Sequence, residues 1–292
     1  MSEAINIQWY PGHMTKAKRM IAENVRMVDA VCEIVDARIP ISSRNPVLRE
    51  IIGVKPRLII LNRADQADPE ATKSWTARFK ASGETVLETD SKSGMGVSGF
   101  PAAVRSLLKS ALDNYASKGQ TGRGIRVMVV GIPNVGKSSF INRVAKRKAA
   151  PTSDRPGVTR GRQWINIGNG LELLDTPGVL WPKFDDQTVA ENLAFTGAIR
   201  DDIMDVEALG ANLFQRLWGI YPQRLIGRYK LEYAEGSAAG PKMEKTGYDL
   251  LADAAKKRGF LISGGEYDLE RMAATALDEF RGGKLGRLTL EI

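Results

Sequence analysis

A chain of 292 residues with 43% apolar content is long enough for about two domains and needs no covalent staple to hold a core. Its single cysteine, Cys32, excludes an intrachain disulfide, and the absence of a signal-peptide stretch or of eighteen consecutive apolar residues points to a soluble, cytoplasmic protein with no membrane partner. Net charge is +8, carried unevenly: residues 1–182 hold 27 Lys and Arg against 16 Asp and Glu, residues 183–292 hold 15 against 18.

At the amino end, Trp9-Tyr10-Pro11-Gly12-His13-Met14 joins two aromatics, a Pro-Gly turn signal and the only histidine. Thr15 reads as the N-cap of a helix whose Ala17, Ile21, Val25 and Val28 share one face. Ala30 to Val35 reads as a strand, with Cys32 a packed thiol, and Asp36-Ala37-Arg38-Ile39-Pro40 halts it. Ser42 to Pro46 reads as a loop. Arg57 to Leu61 lacks polar alternation, as a strand buried on both faces of a parallel sheet should. It delivers Asn62-Arg63-Ala64-Asp65 at its carboxyl end, where open α/β sheets bind ligands. A helix over 70–81 and a strand over 85–88 lead to Asp90-Ser91-Lys92, and a helix over 100–115 follows.

Next, Ile125 to Val130 reads as a buried strand and Lys137 to Lys146 as a helix. Between them Gly131-Ile132-Pro133-Asn134-Val135-Gly136-Lys137-Ser138 meets the G-x-x-x-x-G-K-(S/T) pattern. Backbone N–H groups of such a loop close on phosphate oxygens at a helix N-terminus; Lys137 reaches the β- and γ-phosphates and the Ser138 hydroxyl can ligate Mg²⁺. Nucleotide contacts are expected from Asn134, Val135, Gly136, Lys137, Ser138 and Ser139. Turn chemistry from Asp154 to Thr159 predicts a mobile loop. Gly168-Asn169-Gly170 joins strands over 163–167 and 171–174 into a hairpin, ending at Asp175-Thr176-Pro177-Gly178. An aspartate at a strand end beside a phosphate loop is the expected holder of Mg²⁺, and the Gly178 N–H can meet a γ-phosphate. Arg143, Lys146, Arg147, Lys148, Arg155, Arg160 and Arg162 crowd one helix and the loop after it, which points to a polyanion, RNA rather than a membrane. Helical spacing over 189–199, 206–219, 248–258 and 269–280 predicts a small helical second domain, with a loop over 236–241 and a short strand or tail over 286–292.

A carboxylate on Asp65 can accept two hydrogen bonds from the N1–H and N2–H₂ edge of guanine, an edge adenine lacks, so Asn62 and Asp65 select GTP over ATP. Backbone N–H groups of Asp90, Ser91 and Lys92 would line the same base. The usual order is phosphate loop, switch threonine, D-x-x-G, N-K-x-D and S-A-K; here the last two come first. On these motifs, with Trp9 to Met14, Asp36 to Pro40 and Trp181-Pro182-Lys183, the chain resembles the circularly permuted GTPases and, within them, the ribosome biogenesis GTPase A (YlqF) family. The resemblance spans nearly the whole chain. It implies an α/β fold: a circularly permuted P-loop GTPase domain over 1–182, a mostly parallel sheet flanked by helices, with a smaller C-terminal α-helical, RNA-binding domain over 183–292. It also implies a GTPase, with GTP and GDP as its ligands, that binds the immature large ribosomal subunit and its rRNA and leaves after hydrolysis. Two departures stand out: Arg63 replaces the lysine of the base motif, and Asp90-Ser91-Lys92 replaces S-A-K.

Hydrolysis needs charge neutralisation at the phosphates and an oriented water. Lys137, Mg²⁺ on Ser138, Thr159 and Asp175, and Thr159 closing over the γ-phosphate meet the first need. Val179 occupies the position of the water-orienting glutamine of Ras-like proteins and has no hydrogen-bonding atom. Asn134 resembles the asparagine that ligates K⁺ in potassium-activated GTPases; His13 is the other candidate, an imidazole that swings over the γ-phosphate. Two rivals are a GTP-switched module for a protein target with little hydrolysis of its own, and an ATP-dependent kinase, which should lack Asn62 and Asp65.

Overall fold

The structure, a computed structural model, describes residues 12–120, 122–145, 163–182, 184–232 and 245–292, with the side chains of residues 12, 13 and 163 outside that description. These residues form two compact units, one within positions 12–182 together with Glu291, the other within 184–290 together with Ile292.

The first unit is built on a six-stranded sheet. Its strands are β1 (Ala30–Asp36), β2 (Arg57–Asn62), β3 (Thr85–Glu88), β4 (Ile125–Gly131), β5 (Gln163–Asn166) and β6 (Leu171–Asp175), in the order β3-β2-β1-β4-β6-β5. All neighbours are parallel except the β5–β6 hairpin. Every residue of β1 is buried, as its unalternating apolar run requires. Around the sheet lie α1 (Gly12–Asn24), α2 (Pro46–Ile52), α3 (Pro69–Ala81), α4 (Phe100–Leu107), α5 (Lys109–Ser117) and α6 (Lys137–Val144). Ala17, Ile21, Leu48, Met128, Leu174 and Val179 belong to one apolar cluster; Val35, Ile59, Leu61 and Phe79 belong to another.

Local chemistry explains the helix starts. Asp68 caps α3, accepting the N–H groups of Glu70 and Ala71, with Pro69 in the first turn. Asn45 likewise caps α2 and Pro46 opens it, so the turn-rich run read as a loop is in part a helix start. Helix α1 begins at Gly12, not after a Thr15 cap: Met14 is buried with Ala17 and Ile21, so the apolar face starts a turn earlier. The helix expected over 100–115 breaks at the buried Leu108.

The second unit contains α7 (Gln187–Phe195), α8 (Val206–Ile220), α9 (Pro222–Tyr229), α10 (Gly247–Arg258) and α11 (Leu269–Arg281). Helix α8 packs on both α10 and α11. A reciprocal box between Thr246 and Asp249 caps α10. Two buried carboxylates tie the bundle: Glu191 accepts from Asn212 at 3.2 Å and Arg216 at 3.2 Å, and Glu279 from Arg228 at 2.9 Å and the Tyr229 hydroxyl at 2.9 Å. No strand forms over 286–292. Glu291 instead belongs with the first unit, where its carboxylate accepts the N–H groups of Ile41 and Ser42 at 2.6 and 2.9 Å and its carbonyl accepts the Trp75 indole at 2.7 Å. The loop read over 236–241 lies outside the described residues.

Candidate active site

The parallel register brings four strand ends to one edge of the sheet: Asp36 lies beside Asn62, Ile34 beside Gly131, and Asp175 beside Val129. The motifs expected to read a base and to hold phosphates therefore meet although some seventy residues separate them, as Asn62 and Val135 show below. A concavity lined by Lys55, Leu108, Tyr115 and Arg123 sits instead at the amino ends of β1, β2 and β4.

Asn62 is the hub of this edge. Its amide N–H₂ donates to the Val135 carbonyl at 2.9 Å, and its Oδ1 accepts the Thr89 hydroxyl at 3.2 Å and the Ser91 N–H and hydroxyl at 3.1 and 2.7 Å. One buried side chain thus pins the base-reading strand, the phosphate loop and the loop after β3 together. Gly136 makes this possible: it has φ 100°, and a Cβ there would stand 2.4 Å from the Asn62 amide nitrogen. Arg63 donates from Nη2 to the Asn134 carbonyl at 2.8 Å, and its Nε lies 3.6 Å from Asp36 Oδ2. Both Arg63 and Asn134 adopt left-handed backbone, φ 61° and 56°. Burial pushes the Asp36 carboxyl up, but Arg38 and Arg63 beside it outweigh this and hold it below the usual carboxylate range. Asp65 is exposed at the same rim, its carboxyl raised by partial desolvation and by the neighbouring Asp90.

The loop after β3 differs from expectation. Each of the three backbone N–H groups thought to line the base is already donated within the protein: Asp90 to the Met95 carbonyl at 3.0 Å, Ser91 to Asn62, and Lys92 to Asp90 Oδ1 at 2.7 Å. Asp90 also accepts the Ser93 N–H at 2.9 Å, so its carboxylate shapes its own turn, an Asx pattern that the residue type allows and spacing alone does not reveal. Arg143, counted in the basic cluster, reaches the Ser91 carbonyl at 3.4 Å and the Lys92 carbonyl. Lys146, Arg147, Lys148, Arg155, Arg160 and Arg162 lie outside the described residues, as does Thr159.

At the phosphate end, Lys137 opens α6 and is buried; its ammonium donates to the Gly131 and Ile132 carbonyls at 3.2 and 2.7 Å. Desolvation lowers it from 10.5 to about 8 against the pull of Asp175. Asp175 is 1% exposed, and burial raises its carboxyl despite Lys137 and the Thr176 N–H. Its Oδ1 is buried with no hydrogen-bond partner among the described residues. An orphaned carboxylate oxygen, with the half-buried Ser138 hydroxyl on the first turn of α6, suits a hard divalent cation with oxygen ligands. Ser139 is exposed. Gly178 approaches closely: a Cβ there would lie 2.7 Å from Pro133 Cα and 3.0 Å from the Lys137 ammonium. Val179 next to it is fully buried, its N–H donated to the Gly131 carbonyl at 3.2 Å, so this side chain anchors the D-x-x-G turn in the core. Residue 13 is in the first turn of α1. The chemistry this edge offers is charge neutralisation at phosphates, from a buried ammonium and an orphaned carboxylate oxygen, with a second, exposed carboxylate on Asp65.

The comparisons agree with that chemistry. Residues 126–206 match the family model described as 50S ribosome-binding GTPase. Ribosome biogenesis GTPase A of Bacillus cereus is 45% identical over 98% of this chain and 93% of its own length. Two solved structures are similar. GDP-bound TM YlqF has a TM-score of 0.64 at 29% identity, covering 94% of this chain and 98% of that one. GNP-bound YlqF from T. maritima has a TM-score of 0.59 at 30% identity, covering 94% and 97%.

Proposed function

The chain belongs to the ribosome biogenesis GTPase A family and hydrolyses GTP, and from that premise we propose that it binds the immature large ribosomal subunit and is released once GTP has become GDP and phosphate. The observation that supports the reading is the bond from Asn62 to the Val135 carbonyl, which ties the end of β2, proposed to read guanine, to the phosphate loop. In this reading Asp65 accepts the guanine N1–H and N2–H₂, and Arg63 packs its stem along the purine. Asn134 to Ser139 wrap the phosphates, Lys137 exchanges its carbonyl partners for phosphate oxygens, and the Gly178 N–H meets the γ-phosphate. Ser138, Thr159 and Asp175 would hold Mg²⁺, which when bound neutralises charge on the phosphates. The Asn134 side chain would hold K⁺, which supplies a further positive charge there. Val179, locked in the core, supplies no hydrogen bond to the attacking water; His13, on the first turn of α1, is the proposed group that orients it when the subunit is bound.

The helical unit is the proposed contact to rRNA. Residues 183–292 carry 15 Lys and Arg against 18 Asp and Glu, so contact would rest on local clusters such as Lys256, Lys257 and Arg258 in the last turn of α10 rather than on net charge.

Co-sedimentation tests the assembly reading: the protein should pellet with large subunits in a non-hydrolysable GTP analogue and stay in the supernatant in GDP. Equal pelleting in both states, or in neither, would reject it and favour a GTP-switched protein-binding module. For the chemistry, K⁺ should raise turnover over Na⁺ by roughly tenfold, and Asn134→Asp should change that ratio. His13→Ala should lower subunit-stimulated turnover by about 10²-fold with folding intact. Identical rates in both salts exclude the cation role, and unchanged stimulated turnover excludes the histidine.

A further inference from the structure

We propose that Asp36 is a positioning residue for nucleotide binding, acting through Arg63 on the carbonyl of Asn134. Strand β1 lies between the base-reading strand β2 and the phosphate-loop strand β4 and pairs with both, and Asp36 is its last residue. The Asp36 side chain is buried, and Arg38, only 1% exposed, holds it by three bonds: backbone N–H and Nε to Oδ1 at 3.0 Å each, Nη2 to Oδ2 at 2.8 Å. That clamp fixes where the carboxylate faces. Oδ2 then meets Arg63 Nε at 3.6 Å, while Arg63 Nη2 reaches the Asn134 carbonyl at 2.8 Å.

The geometry explains why arginine stands where the base motif ordinarily has lysine. A guanidinium fork offers donors pointing in different directions from one rigid plane, so it can span a carboxylate and a carbonyl at once. An ammonium on a flexible stem is a point charge that serves one of them. Left-handed backbone at both Arg63 and Asn134 is uncommon for residues with a side chain, and a bond joining the two turns holds both in that conformation. The conformation of Asn134 sets the path of the phosphate loop. Asp36 touches no nucleotide in this scheme; it orients the group that does.

The inference rests on the nucleotide site proposed above, and a double-mutant cycle separates the two. Affinity for a fluorescent GDP analogue is measured by titration of the full-length chain as wild type, D36N, R63K and D36N/R63K. Wild type that fails to bind the analogue rejects the site itself. Given binding, D36N should weaken affinity about tenfold in the Arg63 chain but less than about twofold in the R63K chain, because a single lysine ammonium does not face the Asp36 carboxylate and the Asn134 carbonyl together. Equal weakening in both backgrounds would mean that Asp36 matters only to the fold, and would overturn the proposal. Because D36N removes the carboxylate charge opposite the buried Arg38, the cycle is repeated with D36N/R38M in place of D36N, which removes both charges; coupling to R63K is expected again, and additivity again overturns it.

Discussion

Lys137→Met is expected to lower GTP turnover by at least about a hundredfold and yet to raise the melting temperature of the nucleotide-free protein at pH 7. The loss follows from removing the cation that faces the phosphates. The gain follows from burial: the ammonium is held between two carbonyls with its pKa down to about 8 from 10.5. Below pH 8 the side chain is charged in both the folded and the unfolded chain, and the folded chain bears the full cost of keeping it buried. Between pH 8 and 10.5 the unfolded chain binds more protons than the folded one, so wild-type stability rises with pH across that window. The shift corresponds to at most about 3 kcal/mol at 1.36 kcal/mol per pH unit. Loss of the ammonium as donor to the Gly131 and Ile132 carbonyls offsets part of it, which leaves an expected gain of about 2–4 °C in the transition of the sheet-bearing unit. Scanning calorimetry at pH 7 and pH 9.5 checks this: the variant should melt higher at pH 7 and the difference should shrink at pH 9.5. A lower melting temperature at pH 7 would mean that the two carbonyl bonds stabilise the ammonium more than burial costs.

Asp65→Asn should exchange guanine selectivity for xanthine selectivity. The carboxylate offers two acceptors to N1–H and N2–H₂; the amide keeps one acceptor and turns the other into a donor, which opposes the guanine amino group and suits the carbonyl that xanthine carries at the same carbon. Two hydrogen bonds to a charged group are at stake, each worth about 1.5–3 kcal/mol, so GTP affinity should fall by at least about 10²-fold. Because Asp65 is exposed and lies outside the Asn62 hub, folding and the phosphate loop should be untouched. Competition of xanthosine and guanosine triphosphates for the site measures the exchange. A variant that still prefers GTP would show that the base is read elsewhere.

Strand composition makes the sheet legible in the sequence. Unalternating runs at Ala30 to Val35, Arg57 to Leu61 and Ile125 to Val130 have one physical explanation, burial on both faces, and all three are inner strands. The short helices carry a weaker signal. Helices α2 and α9 each begin with proline, which reads equally as a turn, and each is too short for apolar spacing to outvote it. Likewise the phosphate loop is legible because a pattern of glycines and lysine has a single chemical use, whereas the ties that surround it are long-range. Asn62 to Val135, Arg63 to Asn134, Arg143 to the loop after β3 and Glu291 to Ile41 join residues between 51 and 250 positions apart, with no local signature of their own. Arg63 shows the difference: as a letter it is a departure from a motif, and in the fold its guanidinium pairs with the Asp36 carboxylate while donating to the Asn134 carbonyl.

The strand order also has a consequence for synthesis of the chain. Strands β1, β2 and β3 are contiguous in sequence and adjacent in the sheet, so this half can assemble as soon as residue 88 has emerged. One edge of β1 then waits for β4, whose last residue is Gly131. At 5–20 residues per second that wait lasts on the order of seconds, during which β1, an inner strand of the finished sheet, is an open edge. A nascent chain of this protein is therefore most exposed to mispairing in the middle of translation, and slower codons between positions 89 and 124 would lengthen the vulnerable interval.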